Sequence, residues 1–399
     1  MVLKTVPIQQ LRAGMFLHQV AGSWMDHPFW RSRFTLRGDG DLEKLRDNGI
    51  REVVIDTERG LDIDIAVEPR VAVDEPQAAV APPPVLAQVG GEYVDAARLC
   101  AKSLEVVSAV FREARLGRAV DAQACLPLVE EIVESVMTSQ DTLVTMARIK
   151  TADTYTYMHA VAVSTLMIAL ARQIGLPAPL IREAGLAGLL HDIGKVQMPT
   201  ELLGKNGRLN EKELALMRTH ALRGKQLLVE GGSAGAAVLD TALHHHERAD
   251  GSGYPDRLSG DKISLFARMG AVCDVYDAVT SRRPYRAPWD PGEAMREMAQ
   301  AKGQFSDAVF QSFVKAVGIY PTGSLVRMQS EKLAVVIGQS KESLLTPRLK
   351  VFYDVGERHL IQPFELDLSD SNRTDRIAGV EPPGAWRFPD LEKLWLRGE

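Results

Sequence analysis

Six of the chain's nine histidines fall between His159 and His246. Each lies on, or at the end of, a stretch whose apolar residues recur with helical spacing. His159 opens HAVAVSTLMIALARQIG; His191 and Asp192 stand in LLHDIGK, which also carries Lys195; His220 is in MRTHALRG. A run of three, His244 to His246, leads into HHHERADGSGYP, and Asp274 lies in AVCDVYDAVTSRRPYR. Such side chains are costly to bury unless something satisfies them. One histidine in a core needs only a hydrogen bond. A whole set of histidines and two aspartates beside core-forming helices calls for a shared partner, and a divalent metal is the economical one. Nitrogen and oxygen donors together suit iron, manganese, nickel or zinc, and the lack of cysteine in the set argues against structural zinc. His191 and Asp192 are adjacent, about 100° apart around a helix, so they converge only near a helix end, which Gly194 is expected to supply. The two oxygens of Asp192 could bridge two metals, as in two-metal phosphoester hydrolases.

The elements that must position these groups form a helical region from about Glu92 to Val317. Predicted helices cover Ala160–Ile174, Leu180–Leu190, Glu211–Val229, Ala234–His246, Ser264–Thr280, Pro291–Lys302 and Asp307–Val317, with Gly194, Gly303 and Gly318 as expected stops. Ahead of it, residues 1–66 carry β-like runs at Val2–Val6 and Glu52–Asp56 around a helical stretch at Asp41–Asn48, a small α+β domain. Residues 67–91 are rich in Pro, Ala and Gly without amphipathic period and read as a linker. The helical domain spans 92–322, and 323–399 is a β-rich extension in which LAVVIG and RLKVFYDV predict antiparallel strands. The fold class is thus mainly α, a helical bundle with a small α+β domain before it and a short β-rich piece after it.

With 399 residues, two or three folding units are expected. A net charge of −5 argues against a protein that coats DNA or RNA. No run of eighteen apolar residues predicts a membrane span, and the first residues lack the apolar core of a signal peptide, so a cytoplasmic location is expected. Cys100, Cys125 and Cys273 are scattered and read as buried thiols in a reducing compartment.

Four motifs occur in order: His191-Asp192-Ile193-Gly194-Lys195, His245-His246-Glu247, Asp250-Gly251-Ser252-Gly253-Tyr254-Pro255 and Arg283-Pro284-Tyr285-Arg286. On these the chain resembles the HD-GYP subfamily of the HD phosphohydrolases over roughly residues 145–325. The resemblance implies a bundle of α-helices with metals at its centre. It also implies a bacterial second-messenger enzyme that hydrolyses cyclic di-GMP to pGpG, and often on to GMP. Carried over by position, it assigns His159, His191, Asp192 and Asp274 to one metal, and makes Asp192 a bridge to a second held by His220, His245 and His246. His244 is then left over as a surface or helix-face residue. Two divalent metals per chain are implied, iron or manganese first, with nickel, zinc or magnesium as alternatives. A hydroxide between them would attack phosphorus.

Asp192 and Lys195 are the catalytic candidates; Lys195 resembles the family's phosphate-contacting lysine, the alternative being a cation placed at a helix C-terminus. Gly253, Tyr254, Pro255, Arg283 and Arg286 are candidate substrate contacts. For the glycines the alternative is turn chemistry, and for the arginines a solvated basic turn. Glu247 and Asp250 are expected to orient ligand histidines. Some family members carry a Glu four residues before the first ligand histidine and hold a third metal; here that position is Tyr155, a poor ligand at neutral pH, so two metals are expected.

Residues 1–66 also resemble a small domain of unknown function often found ahead of HD-GYP domains, on VPIQQLRAGMFL and GSWMDHPFWRSRF. That implies no chemistry: it is a module for dimerisation or for a signalling partner, or a packing cap. Two other functions fit parts of the pattern. A catalytically silent cyclic di-GMP receptor would show erosion of a ligand or of the Gly-Tyr-Pro segment, and none is seen. A hydrolase of another cyclic dinucleotide is not separable by motif.

Overall fold

The computed structural model describes residues 3–7, 11, 15–20, 34–35, 52–56, 93–147, 154–205, 209–281, 288–340, 342–370, 375–382, 386, 388, 391 and 394. The expected helix at Asp41–Asn48 and the expected linker at 67–91 lie outside them. Two compact units are distinguished, and the second is formed from Ala79–Pro199, Ala215–Pro284 and Pro288–Glu399.

The first unit contains four short antiparallel strands, β1 (Leu3–Pro7), β2 (Phe16–Val20), β3 (Phe34–Thr35) and β4 (Glu52–Asp56), in the order β1-β4-β2-β3. Val6, Val53 and Ile55 are fully buried. Alternation along β1 and β4 sends these residues to the covered side.

The second unit is built around α1 (Tyr93–Arg115), α2 (Leu126–Ala147), α3 (Tyr155–Ile174) and α4 (Ala178–Leu190). Every residue of α3 from Met158 to Ala171 is buried. That explains why its sequence is apolar all round rather than striped. By length and composition α3 could cross a membrane, but 78% of its apolar window is buried within the protein. Helix α4 lies tightly on α3: a Cβ at Gly188 would stand 2.7 Å from the Ser164 Cα, and Ser164 Oγ donates to the Gly185 carbonyl at 2.7 Å. The small residues let the two backbones approach, which brings His159 and His191 together.

The segment Thr200–Leu214, part of the first unit, holds the short α5 (Thr200–Leu203) and the start of α6 (Glu211–Arg218); the second unit continues with the rest of α6, α7 (His220–Gly231), α8 (Ala236–His244), α9 (Leu265–Thr280), α10 (Pro291–Gln300) and α11 (Asp307–Val317). The continuous helix expected over Glu211–Val229 is broken at Thr219, so His220 is the first residue of α7. At its other end the unit carries an antiparallel sheet of β5 (Leu325–Met328), β6 (Lys332–Gly338), β7 (Arg348–Asp354), β8 (His359–Asp367) and β9 (Ile377–Val380), ordered β8-β7-β6-β5-β9. Val326, Met328, Ala334, Val336, Leu349 and Val351 form its core. Asp290 ties the sheet to the bundle: one carboxylate oxygen caps α10 at Gly292 N, the other accepts from Leu325 N at 2.9 Å. All three cysteines are buried, and none is in a disulfide.

Candidate metal centre

Three histidines of the cluster sit at helix ends, where the last carbonyls of a helix lack partners within it. His191 follows the last residue of α4, and its Nδ1 donates to the Gly188 carbonyl at 2.7 Å. His245 follows α8 and donates Nδ1 to the Thr241 carbonyl at 2.9 Å. His220 donates Nδ1 to the Met217 carbonyl at 2.7 Å, in the last turn of α6. A carbonyl can only accept, so in each neutral ring the proton is on Nδ1 and the Nε2 lone pair is free. The helix break before His220 supplies this geometry. His159 differs, lying in the first turns of α3, and its Nδ1 is 2.6 Å from Asp277 Oδ2.

Those lone pairs converge on Asp192, which is 2% exposed. Its Oδ2 faces His159 Nε2 at 3.5 Å and His191 Nε2 at 3.3 Å. Its Oδ1 faces His220 Nε2 at 3.2 Å and His245 Nε2 at 3.7 Å. Asp274 Oδ1 lies 3.1 Å from His159 Nε2 and 3.9 Å from His191 Nε2. His246 Nε2 is 3.2 Å from His220 Nε2. Two sets of donors therefore share one carboxylate: His159, His191 and Asp192, with Asp274 beside them; and Asp192, His220, His245 and His246.

Charge follows the same division. Burial lowers the His159 pKa, but the carboxylates of Asp192, Asp274 and Asp277 overturn that and hold it up at about 10. Burial opposes ionisation of Asp192 and Asp274 as well, yet Lys195 and the imidazoles hold Asp192, and His159 with its neighbours holds Asp274, well below the usual carboxylate range. His246 is pushed well down by burial and by His245 and His220. One side of the cluster demands positive charge; on the other, His246 is held neutral.

A divalent metal fits these residues. The buried His191 Nε2 and Asp192 Oδ1 have no hydrogen-bond partner, a cost that coordination would remove. Nitrogen and oxygen donors without sulfur are the set that transition metals of intermediate softness take.

The other expected site residues fall into place unevenly. Lys195 forms an ion pair with Asp192 Oδ2 and remains partly exposed. Tyr254 stacks on His246, ring centroids 4.7 Å apart and 27° between planes, and burial pushes its phenol pKa up, so it stays neutral. Pro255, after a cis peptide, is exposed. At Gly253 a Cβ would stand 2.5 Å from the Glu247 Cα and 2.6 Å from the His246 carbonyl oxygen. Its side-chain-free backbone is required by this close approach of loop to histidine turn. Gly194 does not end a helix, since α4 stops at Leu190; a Cβ there would lie 2.0 Å from the His220 carbonyl oxygen. Its absence allows the His191 turn to press on α7. Arg283 and Arg286 lie outside the described residues. Tyr155 stacks parallel to the His159 ring at 5.8 Å.

Two expectations are corrected. Glu247 and Asp250 do not orient cluster histidines. Glu247, 2% exposed, accepts from the backbone N–H groups of Asp256 at 2.7 Å and Leu258 at 3.1 Å. Asp250 accepts from Ser252 N at 2.8 Å and Ser252 Oγ at 2.6 Å. Both carboxylates satisfy loop donors that helices or strands would otherwise pair. The orienting carboxylate is instead Asp277, fully buried and also held by Ser281 Oγ at 3.0 Å. It stands three residues after Asp274 on an apolar helix, a second aspartate whose spacing puts it near the first. His244 lies outside the cluster: its ring bridges Asp240 at 2.6 Å and Asp256 at 2.9 Å.

Known proteins match this arrangement. Residues 3–125 fit the model of a domain of unknown function, DUF3391, and residues 131–309 fit the HD domain model. A cyclic di-GMP phosphodiesterase of Pseudomonas aeruginosa is 48% identical over 99% of this chain and 96% of its own length. A cyclic di-GMP phosphodiesterase response regulator of Xanthomonas campestris is 41% identical over 34% of this chain and 36% of its own. A 3'3'-cGAMP-specific phosphodiesterase of Vibrio cholerae is 38% identical over 40% of this chain and 38% of its own. With a relative this close along its whole length, and with the HD and Gly-Tyr-Pro motifs lying around one buried His/Asp cluster, the chain belongs to the HD-GYP branch of the HD-domain phosphohydrolases.

Proposed function

We propose that this protein is a metal-dependent phosphodiesterase that hydrolyses cyclic di-GMP to pGpG at a centre of two divalent metals. The observation that carries this is the division of Asp192: one oxygen turned to His159 and His191, the other to His220 and His245. In this reading His159, His191, Asp192 and Asp274 hold one metal, and Asp192, His220, His245 and His246 hold the other. Iron or manganese suits the donors best. Tyr155 offers a neutral phenol where a further carboxylate would be needed for a third. Bound there, divalent metals would supply Lewis acidity to a phosphoryl oxygen and lower the pKa of a water towards neutrality.

The chain's own residues do the rest. Asp277 and the three helix-end carbonyls hold the imidazole Nδ1 atoms, so each Nε2 points inward before any ligand arrives. Lys195, partly exposed beside Asp192, is placed to meet an anionic phosphate at the mouth of the cluster. Tyr254 covers His246 and limits water access on that side.

Purified protein supplied with Mn²⁺, or with Fe²⁺ anaerobically, should convert cyclic di-GMP to pGpG, read chromatographically, with elemental analysis giving two metals per chain. No turnover with Mn²⁺, Fe²⁺, Ni²⁺ or Mg²⁺ would leave the protein a receptor, and three tightly held metals would refute the binuclear assignment. Because one relative is named for 3'3'-cGAMP, that dinucleotide belongs in the same assay; faster turnover of it would reassign the substrate.

A further inference from the structure

His246 is the exception in the cluster. The Nδ1 atoms of His191, His220 and His245 are anchored by carbonyls and that of His159 by Asp277. Among the described residues His246 Nδ1 has no such anchor; Asp274 Oδ2 lies 3.9 Å away. It is also the most open of the five, with a side chain 24% exposed against at most 4% for the others. A ligand imidazole left free to rotate loses affinity for its metal, and a hydrogen bond to the other nitrogen is the usual remedy. Here a stack takes that place. The Tyr254 ring lies against His246, and the Arg218 guanidinium covers Tyr254, its central carbon 5.1 Å from the ring centroid.

We infer that Arg218 is a positioning residue: it clamps Tyr254 against His246 and so fixes the orientation of the cluster histidine that, among the described residues, lacks a hydrogen-bonded anchor. A guanidinium within about 6 Å of a ring centroid is held by the ring's quadrupole, and a planar cation stacks where an ammonium does not. Arg218 is well placed for this by the break between α6 and α7. It precedes His220 by two residues, so a single turn delivers one side chain into the cluster and the other over its outer wall. Arg218 is exposed, so no requirement of core packing explains the contact. The inference rests on the metal-centre reading given above.

The test is Mn²⁺ titration of the full-length, metal-stripped protein, with free Mn²⁺ followed by electron paramagnetic resonance, alongside kcat and KM for cyclic di-GMP. Arg218→Ala should weaken one of two Mn²⁺ sites by about tenfold and leave the other unchanged, with far-UV circular dichroism unaltered. Arg218→Lys should recover only part of the loss. Tyr254→Phe, which keeps the ring, should bind as wild type, and Tyr254→Leu should reproduce Arg218→Ala. Unchanged Mn²⁺ affinities in Arg218→Ala overturn the inference, as does a rise in KM alone, which would make Arg218 a substrate contact. Wild-type protein that binds fewer than two Mn²⁺ ions removes the metal-centre reading itself, and the inference with it.

Discussion

The two halves of the cluster share Asp192 but are supported by different means. Around His159 the supports are carboxylates: Asp274 at 3.1 Å, Asp277 at 2.6 Å, and Asp192 itself. Around His220, His245 and His246 the supports are backbone carbonyls and an aromatic ring. The electrostatics divide accordingly, with the first imidazole held at about 10 and His246 pushed well down. The first half is tuned by charge, which a single side-chain change can alter. The second is tuned by where helices stop, which depends on many residues at once.

Three substitutions break or sharpen this contrast. The largest effect is expected at the shared carboxylate. Asp192→Ala should abolish turnover and both tight metal sites while the far-UV spectrum stays helical. Retention of one full-affinity site would show that the halves are independent. Next is Asp277→Asn, which keeps the shape but removes the charge behind His159. Metal affinity on that side should fall by about 10- to 100-fold, with the other side unchanged; equal losses in both, measured by titration, would deny the division. The smallest effect is expected at His244, beside the second half but outside it. Its partner Asp256 is 56% exposed, so His244→Gln should lower stability to urea by about 0.5 kcal/mol and leave metal content at the wild-type value. Loss of a metal in this variant would shift the assignment along the histidine run by one residue.

How far the site is legible in the sequence follows the same line. His159, His191, Asp192, His220, His245, His246 and Asp274 stand out because each is a polar group on or beside an apolar helix, a pattern with an energetic cost that invites an explanation. The helical bundle and the strands of the C-terminal extension follow from periodicity in the same way. Asp277 carried the same signal, one turn beyond Asp274, and was overshadowed by it. What the sequence hides is anything decided by the backbone. The segment LMRTHAL holds no Gly or Pro to announce a break at Thr219, and the break depends on packing. Nor does a glutamate next to two histidines reveal that its carboxylate turns away to the N–H groups of Asp256 and Leu258. Gly194 and Gly253 are legible as glycines, but the close backbone approach that each permits needs three dimensions.

The crowding of nitrogen atoms has a consequence for the lifetime of the protein. His220 Nε2 lies 3.4 Å from His245 Nε2, and with each Nδ1 donating to a backbone carbonyl these two atoms, in neutral rings, are lone pairs facing one another. Folding must press them together, so the native state is favoured by whatever cation relieves them. Mass action then links conformational stability to metal supply: at a free metal concentration a hundred times the dissociation constant, one site adds about 2.7 kcal/mol. In a cell short of that metal, the protein would lose abundance as well as activity, because the unfolded fraction open to proteases would rise about a hundredfold.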